Sequence, residues 1–443
     1  MIARSTNNRL SFEEMGFFSR KNKKALIIGV DGVPRELLLR MAERGVMKGL
    51  KAILDRGYRV HPMRASLPEI SSVSWTSFMT GVNPGEHSIF GFTHLEPGSY
   101  RLHFTNSRDI QAPTFWQTLA QKGKIGKALV MNIPSTYPAF PIDGLLVSGF
   151  VAVDFDKAVF PSSYIPVLRG MNYIIDVEAE KGRKDKAGLY RDILESLTTR
   201  RRVSLALFER EAWDLSVFCV TETDRLHHFF FDEKDTATFG TVYAMIDQLV
   251  TELHEAAKRK WGEDFLFLLL SDHGFAPLRK EVNLNAYLRK TGILTLDPTK
   301  EYYERIGSGT VAFAMDPGRI YLHHEKKYPR GHIRADQVKE VREKLKKLLF
   351  DLKDEGESVI QSIFEREEIY QGPYRDAGPD LVCVPRPGYD LKGNLRKEEV
   401  FTVDVFRGMH TWEDAVLLLP EQIKVDAPVN IEFPAKVILD YYA

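Results

Sequence analysis

Residues 265–274, FLFLLLSDHG, are an apolar run that stops abruptly on a serine, an aspartate and a histidine. A short run without polar interruption is typical of a strand buried on both faces, as in a parallel sheet. Adjacent strand residues point to opposite faces, so Asp272 and His273 can converge only if the chain turns there. Gly274 permits that turn. Core packing does not explain such an ending, and we interpret the Asp-His pair as functional.

The same arrangement recurs along the chain. Further apolar runs lie at 25–30, 127–133, 215–220, 381–384 and 415–419, and most of them end in polar clusters. A buried helix is the alternative for any single run. Together, their strand-like lengths and their Gly, Pro or Asp boundaries favour a parallel sheet. After the irregular region that follows His273, we expect the strands of this sheet to resume at residues 381–384.

Helical patterns lie between these runs. Residues 338–352 place their apolar side chains on one stripe, and residues 187–208 are a second helix in which Arg200-Arg201-Arg202 is expected to be exposed. Strands that alternate with helices predict an α/β layered fold. Ligands bind such folds beyond the carboxyl ends of the strands, where the acidic and histidine residues of this chain stand.

Composition excludes several classes of protein. The 443 residues are 44% hydrophobic. The 61 Lys plus Arg balance the 61 Asp plus Glu, so the sequence lacks the basic excess that is typical of nucleic-acid-binding proteins. The two cysteines, Cys219 and Cys383, lie in apolar runs and are expected to be buried thiols. Residues 1–24 lack the apolar stretch of a signal peptide, and no run is long enough for a membrane span. We therefore expect a cytoplasmic protein with a small-molecule substrate and no membrane partner.

Four further clusters carry candidate chemistry. Asp31 ends the first strand, and Ser71 begins a hydroxyl-rich, helix-like segment, where the helix dipole and free N–H groups would favour an alkoxide and bind phosphate. Asp224 and His228 are four residues apart, so on a helix both reach one metal ion. His410 would supply a third ligand. Each cluster alone also fits a turn, a helix cap or a packed histidine.

Together, in this order, the clusters resemble the alkaline-phosphatase superfamily, and most closely the type I phosphodiesterase/nucleotide pyrophosphatase family, from Ala25 to about Leu419. The resemblance implies a three-layer αβα sandwich around a mostly parallel sheet, with Ser71 as nucleophile. It also implies two divalent ions, with Zn²⁺ favoured and Mn²⁺ the alternative. The implied ligands are Asp31, Ser71, Asp272 and His273 for one ion, and Asp224, His228 and His410 for the other.

The chain departs from the nucleotide pyrophosphatase pattern at two positions. Phe92 stands where relatives usually carry an asparagine that binds phosphoryl oxygens, and Ser71 replaces the usual threonine. The implied activity is hydrolysis of phosphoric esters through a phosphoserine intermediate, with phosphodiesters favoured. The alternatives are a phosphomonoesterase or a metal-dependent phosphomutase of the same superfamily. A non-catalytic metal-binding protein is the alternative of another class.

The order of the patterns also predicts the domain organisation. Residues 1–23 are expected to be a tail, and residues 24–277 and 366–443 the catalytic core. The irregular stretch 278–365 interrupts the run of strands, and we expect it to be an insertion or cap next to the site. The sequence carries no signal for the oligomeric state.

Overall fold

The computed structural model describes residues 23–426 and 428–443, so most of the predicted tail, 1–23, lies outside the described residues. The elements alternate between strands and helices along most of the chain. The strands are β1 Ala25–Val30, β2 Tyr58–Arg64, β3 Thr93–Leu95, β4 Leu102–Phe104, β5 Ala128–Met131, β6 Gly144–Val147, β7 Val159–Phe160, β8 Leu215–Val220, β9 Leu266–Leu270, β10 Gly274–Pro277, β11 Lys280–Asn283, β12 Ala312–Met315, β13 Arg319–Leu322, β14 Lys353–Asp354, β15 Glu357–Ser358, β16 Ile360–Glu365, β17 Leu381–Pro385, β18 Tyr389–Lys392, β19 Phe401–Thr402, β20 Gly408–Thr411, β21 Ala415–Pro420 and β22 Val429–Asn430. The α-helices are α1 Arg35–Glu43, α2 Lys48–Leu54, α3 Ser71–Thr80, α4 Pro84–His87, α5 Phe115–Gln121, α6 Ile165–Gly170, α7 Lys186–Arg210, α8 Glu222–Phe230, α9 Ala237–Trp261, α10 Leu284–Lys290, α11 Val338–Phe350, α12 Arg366–Ile369 and α13 Phe433–Tyr442.

The largest sheet has nine strands in the order β22-β2-β21-β9-β1-β8-β5-β6-β7. Its centre is parallel, because β1 pairs in parallel with both β8 and β9, and β5 pairs in parallel with β8 and β6. Antiparallel pairs occur toward both edges, where β21 joins β9 and β2, and β7 joins β6. The predicted mostly parallel sheet is confirmed.

Helices cover both faces of this sheet. Alternate residues of β1 enter two different cores, with Leu26 and Ile28 on one face and Ala25 and Ile27 on the other. The first core includes residues of α1, α2, α7, α8 and α9, and the second includes residues of α3, α5 and α13. This arrangement is the three-layer αβα sandwich, and its apolar strands are buried on both sides, as their sequences predict.

A smaller four-stranded sheet, in the order β12-β13-β17-β16, stands apart from the large one. The expectation that the parallel sheet resumes at Leu381 was wrong, because β17 pairs antiparallel with β13 and β16 in this small sheet. Its apolar residues fill a separate core with α10 and α11. The error arose because a short apolar run predicts that a strand is buried but does not predict which strands it pairs with. The boundaries of the predicted insertion, 278–365, stay a prediction.

Arg200 corrects a second expectation. The arginine cluster on α7 was expected to be exposed, but the Arg200 side chain is buried and pairs with buried Glu222 at 2.8 Å. Its guanidinium also donates to the carbonyl of Ile175 at 2.9 Å. Among the described residues, no helix combines the length and apolar character needed to cross a membrane.

Candidate metal centre at the carboxyl edge of the sheet

The candidate site forms where the three central parallel strands end. Asp31 follows β1, Asp224 lies in the first turn of α8 after β8, and Asp272 follows β9. The turn after β1 is fastened to the turn after β9, because the N–H of Gly32 donates to Asp272 Oδ1 at 3.0 Å. Carboxyl ends of neighbouring parallel strands meet at one edge of the sheet, so three carboxylates distant in sequence converge.

Ser71 is the first residue of α3 and points into this cluster. Its Oγ lies 3.1 Å from His273 Nε2 and 3.4 Å from Asp31 Oδ1, and the side chain is buried. The first N–H groups of a helix have no intrahelical partner and carry a partial positive charge. The hydroxyl therefore stands at a position that favours a negative oxygen.

His228 and His410 form a second group with Asp224. Asp224 Oδ1 lies 3.4 Å from His228 Nε2 and 3.2 Å from His410 Nε2, and the two nitrogens are 3.1 Å apart. His410 arrives on β20, which pairs antiparallel with β10 just after His273. Its Nδ1–H donates to the carbonyl of Glu69 at 3.0 Å, which leaves the Nε2 lone pair free to bind a metal.

Two sets of donor atoms are close enough to share an ion. Asp224, His228 and His410 form one set, and Asp31, Asp224 and His273 form the other, with the atoms of each set within 4.8 Å of one another. The rings of His273 and His410 stack with centroids 3.7 Å apart and so join the sets. The seven predicted residues are therefore brought together at one edge of the sheet.

The electrostatics of the cluster call for an added cation. Burial raises the pKa of Asp31 well above its usual value, and repulsion from Asp272 and Asp224 raises it further. Burial likewise raises the pKa of Asp272 to about 7 and lowers that of His273 to about 4. Asp272 Oδ2 is buried and has no hydrogen-bond partner among the described residues. Mixed carboxylate and imidazole donors with unmatched negative charge fit divalent ions such as Zn²⁺ or Mn²⁺.

Comparison with known proteins identifies the family. The sequence profile described as "Type I phosphodiesterase / nucleotide pyrophosphatase" matches residues 25–413. The chain belongs to this family. It is accordingly an enzyme of the phosphoric ester hydrolase class, as its motifs predict. No curated protein sequence matches the chain.

Two solved structures share the fold of this phosphodiesterase-family chain. Phosphonoacetate hydrolase from Sinorhizobium meliloti 1021, in complex with phosphonoformate, has a TM-score of 0.67 at 16% identity, with 96% of this chain and 97% of that one covered. Murine ectonucleotide pyrophosphatase/phosphodiesterase 5 has a TM-score of 0.53 at 13% identity, with 95% of each chain covered. These likenesses confirm the alkaline-phosphatase-like fold.

The sequence did not predict the supporting role of three side chains in this family member, although it offered Trp75 as a pocket residue with ordinary packing favoured. Trp75 Nε1 donates to Asp31 Oδ2 at 2.9 Å. Arg225 donates to Asp224 Oδ2 at 2.9 Å and to Asp176 at 2.8 Å. Available signals were the helical spacing of Trp75 from Ser71 and the position of Arg225 directly after Asp224. Asp176 gave no signal, because it lies in an irregular segment far away in sequence.

Phe92 and Phe150 form an aromatic wall beside this support. Their ring centroids are 5.9 Å apart, and the guanidinium of Arg225 lies over the Phe150 ring at 4.6 Å. The position at which the resemblance leads one to expect an asparagine therefore holds an apolar side chain near Arg225. No polar group of Phe92 is available to bind a phosphoryl oxygen.

Proposed function

We propose that this chain is a two-metal phosphodiesterase in which Ser71 is the nucleophile. The observation that carries the proposal is the place of Ser71 Oγ, at a helix N-terminus and within 3.4 Å of both Asp31 and His273. Asp31, Ser71, Asp272 and His273 would hold one ion, and Asp224, His228 and His410 the other. When bound, divalent ions favour the Ser71 alkoxide and neutralise charge on the phosphoryl and leaving oxygens.

The residues of the chain supply positioning and the covalent step. Ser71 Oγ, after losing its proton to solvent, attacks phosphorus, and the Oγ–P bond forms while the P–O bond to the leaving alcohol breaks. The leaving oxygen takes a proton from water. A water molecule then attacks phosphorus, breaks the Oγ–P bond and returns a proton to Ser71. The N–H groups at the start of α3 stabilise the phosphoryl oxygens in both steps.

The two similar structures support an organophosphorus substrate. The bacterial hydrolase was solved with phosphonoformate and with phosphonoacetate, and the murine protein as an inactive threonine-to-alanine variant in complex with AMP. Ser71 offers the same kind of hydroxyl as that threonine. The family description favours a phosphodiester over a monoester, and a net charge of zero favours a small molecule over a nucleic acid.

Initial rates on bis-p-nitrophenyl phosphate and p-nitrophenyl phosphate, each with Zn²⁺ or Mn²⁺, test the proposal. We expect faster diester cleavage, lowered by at least about 10⁴-fold in Ser71→Ala with metal content unchanged. Ser72→Ala is the matched control, because Ser72 is an equally buried serine in the same helical turn whose Oγ has no partner among the described residues. We expect it to retain activity within about tenfold.

Each other outcome has a defined meaning. Faster monoester cleavage would move the chain to the phosphatase alternative. Isomerisation of a phosphoglycerate without phosphate release would identify the phosphomutase. A metal-replete protein that turns over none of these esters would support the non-catalytic alternative. Activity of Ser71→Ala equal to that of the native chain would refute Ser71 as nucleophile, whichever ester is preferred.

A further inference from the structure

The turn that follows β1 buries three successive backbone carbonyls. The Asp31 N–H still donates to a strand neighbour, the carbonyl of Val220, at 2.9 Å. The residues that carry the carbonyls, Asp31, Gly32 and Val33, are all buried. A buried carbonyl requires a hydrogen-bond partner, and beyond the end of a strand this partner has to come from outside the sheet.

Each of the three carbonyls accepts a hydrogen bond from a buried side chain of a neighbouring segment. The bonds join Thr223 Oγ1 to Asp31 at 2.5 Å, His227 Nδ1 to Gly32 at 2.8 Å, and Ser271 Oγ to Val33 at 2.8 Å. Two of the donors lie on α8 and the third follows β9. We call Thr223, His227 and Ser271 the carbonyl clamp.

His227 is the member of the clamp whose donor is most firmly oriented. A carbonyl can only accept, so Nδ1 of His227 carries a hydrogen. The ring is buried and forms no ion pair among the described residues, which favours its neutral form with a single N–H. Its Nε2 therefore accepts from the Tyr243 hydroxyl at 2.9 Å. The ring also stacks on Phe239, with centroids 5.4 Å and planes 6° apart, so α9 fixes the direction of the N–H.

The bond to Gly32 acts where two candidate metal ligands meet. Gly32 directly follows Asp31, and its N–H donates to Asp272 Oδ1 at 3.0 Å. Its φ of 65° is a left-handed conformation that glycine adopts without strain. Thr223 holds the peptide group before Gly32 and His227 holds the one after it. The two bonds together therefore fix the backbone between the Asp31 carboxylate and the donor to Asp272.

We infer that His227 is a positioning residue for the ion group that contains Asp31 and Asp272, assisted by Thr223 on the preceding carbonyl. His227 is not itself a candidate ligand and acts through the Gly32 backbone. The inference rests on the proposed metal centre. Groups that orient metal ligands typically contribute about 10- to 100-fold to metal affinity. A purely structural role would instead lower stability without weakening one ion group selectively.

The test compares His227→Leu with His227→Asn. The two replacements are nearly equal in size and remove the ring equally, but only asparagine places an N–H where Nδ1 stood. Stepwise competition titration with a zinc-binding dye measures Zn²⁺ affinity at both ion groups. At the group with Asp31 and Asp272, we expect the affinity to fall about tenfold in His227→Leu and to stay within about threefold of the native value in His227→Asn. The group that contains Asp224 serves as the internal reference and should be unchanged.

A control variant separates packing around the ring from its hydrogen bond. Phe239→Leu removes the stacking partner of His227 and leaves the donor to Gly32 in place, so it should lower the melting temperature without changing either Zn²⁺ affinity. Thr223→Val decides the question should the His227 variants fail to fold. It is nearly isosteric and removes the hydroxyl that donates to Asp31, so the same ion group should weaken about tenfold.

The outcomes distinguish the inference from the proposed function. Native affinity in His227→Leu, or an equal loss in His227→Leu and His227→Asn, would overturn the inference. Equal weakening of both ion groups would also overturn it, because it would assign the clamp a general structural role. A native chain that binds no Zn²⁺ would overturn the metal centre together with the inference. A native chain that binds two Zn²⁺ ions but cleaves no phosphoric ester would overturn the proposed function alone.

Discussion

Two buried charged clusters in this molecule handle the same electrostatic problem in opposite ways. At the edge of the large sheet, Asp31 and Asp272 are buried beside each other with raised pKa values. In the small sheet, Asp380 is equally buried, but it accepts hydrogen bonds from Arg366, from Arg342 at 3.2 Å and from His324 at 3.0 Å. Burial alone would raise the pKa of Asp380, yet His324 and Arg366 hold it well below its usual value.

This difference distinguishes a buried carboxylate with a structural role, Asp380, from one that is suited to bind a cation, Asp272. The chain supplies the cations for Asp380, and the N–H of Leu322 also donates to its second oxygen at 2.9 Å. At the sheet edge, Asp272 Oδ2 accepts no hydrogen bond among the described residues, and the basic group beside it is His273 Nε2 at 3.3 Å, on a ring whose pKa burial lowers to about 4. An uncompensated buried carboxylate costs several kcal/mol unless it is protonated or meets a cation. Compensation from within therefore predicts a structural role, and its absence predicts a metal site.

The largest expected effect comes from removing the charge of Asp380. Asp380→Asn leaves buried Arg366 without its closest carboxylate partner and leaves Arg342 paired only with Glu365 and Glu367, so we expect a loss of about 3 kcal/mol in the free energy of unfolding. Asp272→Asn is the matched substitution at the sheet edge, and in metal-free protein it should be neutral or stabilising. Urea unfolding of both variants at pH 7.5, after dialysis against a chelator, measures the contrast.

The comparison fails if the two substitutions destabilise the metal-free protein equally. Equal losses would mean that Asp272 is already compensated within the chain. Asp440→Asn is a control for the substitution itself, because Asp440 is a half-buried aspartate on α13, away from both clusters. We expect it to change stability by less than about 0.5 kcal/mol.

Metal removal should act on one cluster alone. Zn²⁺ at about one hundred times its dissociation constant should stabilise the native chain by about 2.7 kcal/mol over the chelated protein. The Asp380→Asn variant, although less stable, should gain the same free energy of unfolding from Zn²⁺. The Asp272→Asn variant should lose most of that gain. Thermal melts with and without Zn²⁺ give the three increments. Equal increments in all three proteins would place the stabilising ion outside the Asp272 site.

The sequence predicted the central layer well because its signal is local. Unbroken apolar runs specify burial on both faces, and five of the six predicted runs are strands of the large sheet. The pairing of β17 was not predictable, because its partners β13 and β16 are specified by antiparallel contacts distant in sequence. Arg200 was misplaced for a related reason, since a buried arginine depends on a carboxylate that the helix pattern does not contain.

The candidate site was predictable to the extent that each residue ends an element. Asp31, Asp272 and His273 stop apolar runs, and Asp224 and His228 share a helix face. His410 was proposed as a third ligand, but nothing local ties it to Asp224, and the family resemblance was needed to support that assignment. Trp75 and Arg225, which position the cluster, hydrogen-bond to the candidate ligands Asp31 and Asp224 and are not themselves candidate ligands. Their roles depend on contacts that form only when separate segments of the chain meet.

The pH dependence of stability should also distinguish the clusters. The pKa of Asp272 is about 7 in the metal-free fold against an ordinary 3.8, so the folded chain keeps a proton that the unfolded chain releases. That contribution is fully present below the unfolded pKa and is lost as pH rises through 7. Metal-free native protein should therefore lose roughly 2 kcal/mol between pH 5 and 7.5 relative to Asp272→Asn.

Zinc reverses this dependence, because bound metal requires the deprotonated carboxylate and its affinity rises with pH. The lowered pKa of Asp380 gives the opposite sign, with stability present above the unfolded pKa and lost as pH falls through the folded one. Denaturant midpoints at four pH values, with and without chelator, measure all three trends. Parallel curves for metal-free native protein and Asp272→Asn would contradict the raised pKa.

Arg225 compensates one oxygen of Asp224 from within the chain, while the other oxygen faces the proposed metal group. Substitution of Arg225 should have the smallest effect of those predicted. It holds Asp224 Oδ2 at 2.9 Å while Oδ1 faces His228 and His410, so one oxygen is fixed by the chain and the other is left for an ion. Arg225→Lys keeps the charge but cannot bridge Asp224 and Asp176 with two nitrogens. We expect Zn²⁺ affinity at this group to fall about tenfold, as for other groups that orient metal ligands.

A competition titration with a zinc-binding dye measures this affinity directly, without reference to turnover. Asp176→Asn should also lower the Zn²⁺ affinity, since it removes the second carboxylate that holds Arg225. The double variant should lower the affinity little more than either single variant, because Asp176 acts on Asp224 only through Arg225. Additive losses would mean that Arg225 and Asp176 act separately. Unchanged affinity in both single variants would show that Asp224 is oriented by its own helix, and that the cation beside it belongs to substrate binding.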